Sequence, residues 1–148
     1  MPTSVRTKLA VQHPELIALY QVWVGQCRND TLPAAADLTP VSLRRWLDNL
    51  VVVDLLPEGG VRYAYYGDHL AAAFGTDMVG RTTDHLPDEQ RRLLTAEYEA
   101  MRRNRLPTSR RYTADFDGEI QTWERLVLPF FNENGQVEKV LVAAFPLD

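Results

Sequence analysis

Apolar and polar positions along this chain follow two different periods. Near the start, Leu16, Tyr20, Trp23 and Cys27 fall at i, i+4, i+7 and i+11, with Ile17 and Val24 beside them. That spacing lays one apolar stripe along a helix of about four turns. His13-Pro14-Glu15 opens it, because proline suits a first helical turn and an acid suits the positive end of the macrodipole. The stripe either packs on its own domain or forms a partner or dimer surface. A connector over 29–37 leads to Thr39-Pro40, an N-cap and first-turn pair for a second, shorter helix over 41–47.

The period then changes. Residues 50–56 are apolar on both alternating faces apart from Asp54, the pattern of a central strand covered on two sides. Pro57 to Gly60 turns the chain, and 61–66 alternates, with Val61, Tyr63 and Tyr65 on one face and Arg62, Ala64 and Tyr66 on the other. A short Ala-rich helix over 68–74 stops at Gly75, and a longer helix over 87–104 puts Leu94, Tyr98 and Met101 on one side. Three strands follow, 109–116, 120–131 and 137–145, joined by turns at Asp117-Gly118 and Asn134-Gly135, both strong hairpin signals. Pro129 cannot donate to a ladder, so its strand should carry a bulge or stop pairing early.

Composition changes this picture little. The 148 residues, 45% hydrophobic and 24% charged, suit one globular domain. Net charge is −4 with basic and acidic residues interspersed, which argues against nucleic acid as a partner. A single cysteine rules out an internal disulfide, the N-terminus lacks a signal-peptide pattern, and no run approaches the roughly 18 apolar residues of a membrane span. A cytoplasmic location follows as the expectation.

Two helices, a hairpin, a helical cluster and three more strands together resemble a PAS sensory domain, in particular short stand-alone bacterial PAS proteins. The resemblance rests on HPELIALYQVW, DLTPVSLRRWLDNLVVVDLL, VRYAYYGDHLAAAFGTDMVGR and ERLVLPFFNENGQVEKVLVAAF. It implies an α+β fold: residues 1–48 as an N-terminal helical extension, and 49–148 as a domain with a five-stranded antiparallel sheet in order 2-1-5-4-3. It further implies helices over the inner face with a pocket beneath them, and the two leading helices on the outer face or against another protomer.

Cofactors of the family must be tested residue by residue, since a fold alone confers no function. The long helix has no histidine for a haem, and His85 before it suits the start of that helix equally well. His69 reads as a cap neighbour or pocket-rim residue. Cys27 lies outside the helical cover, where a flavin-reactive thiol would have to be, and reads as a small buried hydrophobe. Neither haem nor flavin is supported, His13, His69 and His85 are too dispersed for a metal, and no phosphate-binding fingerprint occurs, so any cofactor is unknown.

What remains is a candidate pocket of Tyr63, Tyr65, Phe74, Leu94, Tyr98 and Arg125, for an unidentified small molecule. Arg125 sits in a strand rich in Trp and Leu, so it pairs with an acid such as Asp54 or meets an anion. Glu124 points the opposite way and is a poor partner for it. The leading expectation is a non-catalytic sensory or adaptor module signalling in trans to a protein, with Leu16, Tyr20, Trp23 and Cys27 as the interface of a homodimer, supported by Trp46. The alternatives are a small α+β enzyme using Asp84 with His85, or Glu124, for acid-base work, and a ligand-free structural adaptor.

Overall fold

A computed structural model describes residues 10–27, 32–74, 78–116 and 118–147. Helix α1 covers Pro14–Gln26. Its N-terminal proline is preceded by His13, whose Nδ1 accepts from the Glu15 backbone N–H at 3.1 Å. The second expected helix is tighter than an α-helix: Arg44–Asn49 forms 3-10 turns. The strands are β1 (Leu50–Leu55), β2 (Val61–Tyr66), β3 (Thr108–Phe116), β4 (Glu119–Phe131) and β5 (Val137–Pro146). Between β2 and β3 lie α2 (Asp68–Phe74), a 3-10 turn at Thr83–His85 and α3 (Asp88–Asn104).

All five strands join one antiparallel sheet in the order β2-β1-β5-β4-β3, with the first hairpin paired to the last three strands through β1 and β5. Cross-strand partners share a face. Arg125 is therefore level with Ala144 and Arg110, and Val51 with Val142, on the inner face. Glu124 is level with Phe145 and Arg111 on the outer face. The helices α2 and α3 cover the inner face, and α1 with the Arg44–Asn49 turns covers the outer one, so β1, β4 and β5 are buried on both sides. The family expectation for the sheet and its helical cover is met.

Pro129 is accommodated without ending its strand. The β3 ladder reaches only Val127, and the Pro129 carbonyl turns off the sheet to accept from Trp23 Nε1 at 2.8 Å. Its donor-less nitrogen thus faces the side where no strand needs it. The register irregularity falls later, between Phe130 and Phe131. At the start of α2, an added Cβ on Gly67 would lie 2.4 Å from the Asp48 carbonyl oxygen, so this close crossing of two backbones requires glycine. The expected stop at Gly75 and the turn residue Asp117 lie outside the described residues.

Candidate functional site

A cavity of about 580 Å³ lies between α3 and the inner face of the sheet. Its floor is apolar, from Val51, Val142 and Ala144, and Leu70, Met78 and Leu94 close it from the helical side. Four tyrosines, Tyr63, Tyr66, Tyr98 and Tyr112, also line it. Arg81, Arg110 and Arg125 are the arginines of its lining, and His85 is also among the lining residues, with Nδ1 3.3 Å from the Thr82 carbonyl.

Of the sequence candidates, Tyr63, Leu94, Tyr98 and Arg125 line this space. Tyr65 does not. The β1–β2 register slips between Val52 and Val53, so that Tyr63 pairs with Val53 but Tyr65 pairs with Val52. Ala64 is the extra residue, and past such a bulge every side chain changes face. Tyr65 therefore turns outward and donates to the Leu47 carbonyl at 3.0 Å, while Tyr66 takes the inward place. Strict alternation could not reveal this, because no glycine or proline marks the bulge. The Phe74 side chain lies outside the described residues.

Arg125 does find an acid, but not Asp54. It donates from Nη2 to Glu97 Oε1 on α3 at 2.5 Å and to the Tyr98 hydroxyl at 3.4 Å. Asp54 is on the outer face of β1, level with Lys139, whose Nζ donates to it at 2.5 Å. Opposite faces make an Arg125–Asp54 pair impossible. Glu97 holds a second guanidinium, Arg110 Nε at 3.4 Å. Its side chain is 16% exposed and that of Arg125 13%, so both are largely withdrawn from water. Burial pushes the Glu97 carboxyl up, but Arg125 and then Arg110 outweigh this and hold it below the usual carboxylate range. Burial likewise opposes the Arg125 charge, yet Tyr98 and Glu97 raise its pKa further. Burial is also the main reason that Tyr63 and Tyr112 are shifted up and stay neutral. Arg125 Nε is enclosed with no acceptor among the described residues.

Glu124 performs a different task on the other face. Its side chain is 1% exposed, and its carboxylate accepts from the Gln12 backbone N–H at 3.0 Å on both oxygens and from that of His13 at 2.7 Å. Arg111 Nε lies 3.5 Å away. The His13 ring stacks on Phe145, centroids 4.6 Å apart. This clamp ties the start of α1 to β4 and places Glu124 away from the cavity, against an acid-base role there. Strand alternation places Glu124 on the face opposite Arg125, as found, but the clamp has no signal in the sequence, because its donors are backbone groups 112 and 111 residues away.

The stripe on α1 is largely consumed by its own sheet. Leu16 and Trp23 are buried, Tyr20 and Cys27 are half-buried, and Trp46 is buried with its Nε1 donating to the Glu15 carbonyl at 3.0 Å. Leu16, Trp23 and Trp46 are thus covered by their own chain, while Tyr20 and Cys27 keep part of their surface open.

A family model described as the PAS domain matches residues 11–144. The chain belongs to the PAS domain family. Solved structures with a similar fold include the PAS domain of Bordetella pertussis BvgS, at 14% identity and a TM-score of 0.58, covering 73% of this chain and 82% of that one. VqmA, known from Vibrio cholerae, matches in its DPO-bound form at 14% identity and a TM-score of 0.57, over 72% of this chain but only 56% of VqmA. A light-oxygen-voltage domain described with a flavin analogue matches at 15% identity and a TM-score of 0.54, over 77% and 89%. These likenesses concern the fold alone. No curated protein matches the sequence.

In this PAS domain the residues do not suit a flavin–thiol adduct. The single cysteine ends α1 on the outer side of the sheet, with Sγ donating to the Trp23 carbonyl at 3.5 Å, and the cavity lies on the inner side. Among the described residues no group of His, Cys, Asp and Glu could hold a metal ion, and no helix is long and apolar enough to cross a membrane.

Proposed function

We propose that this PAS domain is a non-catalytic cytoplasmic sensor or adaptor: a small molecule in the cavity under α3, or a protein partner pressing on that cover, biases the domain, and another protein reads the outcome in trans. In this reading residues 49–148 sense and 1–48 report. The observation that carries it is the pairing of the two ion clusters back to back. Glu124 and Arg125 are consecutive on β4, one clamping the start of α1 and the other holding α3 over the cavity. Arg111 and Arg110, level with them on β3, repeat the same division.

A shift of α3 therefore reaches the α1 clamp through one strand. Coupling of this kind is typically worth about 1–3 kcal/mol. The DPO-bound form of VqmA, a protein of similar fold, is in keeping with a small-molecule role for the cavity. The test is a fragment library screened by amide NMR. Hits that shift Val51, Leu94 and Val142 and then also Gln12 and His13 support the reading, whereas a library without a hit in the cavity refutes small-molecule sensing.

A further inference from the structure

Resting on the reading of the cavity as a ligand site, we infer that it takes a small monocarboxylate with a flat apolar body, recognised by Arg81, Arg110 and Arg125. Charge points this way first. Three arginines line the space, and the carboxylate of Glu97 on α3 pairs with two of them, Arg110 and Arg125. Arg81 makes no ion pair with a described residue, so the positive charge around the cavity is only partly compensated. A cation would be repelled, and a neutral hydrocarbon would leave these groups worse hydrated.

Geometry narrows the class. Glu97 shows that Arg110 and Arg125 converge on a single carboxylate, since both donate to it from neighbouring strands. Arg125 uses only Nη2 for Glu97 and Tyr98, and its enclosed Nε has no acceptor among the described residues. A carboxylate entering from the cavity competes with Glu97 for this guanidinium. The rest of the ligand then meets Val51, Val142 and Leu94 with tyrosine rings around them, which suits a planar body. The same exchange loosens α3, because Glu97 is its ionic tie to the sheet.

The test uses the full chain, labelled with ¹⁵N and titrated with benzoate and phenylacetate against benzamide and phenylacetamide. The acids should shift the Arg125 Nε–Hε signal together with the Val51 and Val142 amides, and the neutral amides should bind about tenfold or more weakly, as expected for losing one hydrogen bond to a charged group. Glu97→Gln removes the competing carboxylate and should tighten binding of the acids by about tenfold. A purely structural Glu97 would not give that sign. Should Glu97→Gln fold poorly, Arg81→Ala at the rim decides instead: weaker binding of the acids is expected and unchanged binding refutes the inference. It is also overturned if the amides bind as tightly as the acids, if the Arg125 signal stays still, or if Glu97→Gln folds and weakens binding. Cavity shifts with the amides but not the acids would likewise overturn it while leaving the ligand-site reading standing, whereas a wider fragment library without any cavity hit would sink that reading itself.

Discussion

Replacing Glu124 with Gln tests the outer clamp by changing one atom. The carboxylate accepts two backbone N–H bonds in a site where its side chain is 1% exposed, and hydrogen bonds to a charged group contribute about 1.5–3 kcal/mol each. The Arg111 contact adds less than about 1 kcal/mol, because at 3.5 Å and 43% exposure it is screened by water. Gln keeps one acceptor oxygen but turns an NH₂ group toward the amide donors, so about half of the gross interaction survives. The expected loss is about 1.5–3.5 kcal/mol. For a chain of this size that lowers Tm by roughly 5–15 °C. Urea denaturation gives the total, and amide hydrogen exchange locates it: protection should fall first over the opening turns of α1. A loss under about 0.5 kcal/mol, or unchanged protection there, would refute the clamp.

Arg125→Met keeps the stem packing but leaves Glu97 with Arg110 alone; allowing for the partial exposure of the pair, stability measured in urea should fall by about 2–3 kcal/mol. Because the folded Glu97 pKa is depressed below its ordinary 4.5, the stability it adds is complete above that value and is lost as pH falls through the lower folded one. Urea midpoints taken at about pH 6 and about pH 3 should therefore differ more in wild type than in Glu97→Gln. Gly67→Ala forces a Cβ to 2.4 Å from the Asp48 carbonyl and should cost about 2 kcal/mol or more by thermal denaturation. Trp23→Phe keeps the buried ring but loses the bond to the Pro129 carbonyl, for a loss of about 1 kcal/mol in the same assay.

The elements were legible because each carries its own period or turn signal. Val61–Tyr66 and the strands around Asn134-Gly135 were readable almost to the residue, and Pro14 and Pro87 marked where α1 and α3 begin. Sheet order was not a local property and came through the family resemblance. The failures in the site share one physical origin, that facing depends on long-range register. One unmarked bulge reversed Tyr65 and Tyr66, and the partner of Arg125 came from α3, a helix whose rotation over the sheet no strand pattern encodes. The α1 stripe was periodic as expected, yet periodicity alone does not say whether the covering surface is another chain or the same one.

The most direct test of the account is a crystal structure of the protein soaked with its best-binding cavity fragment. The account predicts density between Tyr63, Tyr98 and Arg125 beneath α3, with the Glu97–Arg125 contact altered. A fragment bound elsewhere, or α3 collapsed onto Val142 and Ala144 with the space closed, would contradict it.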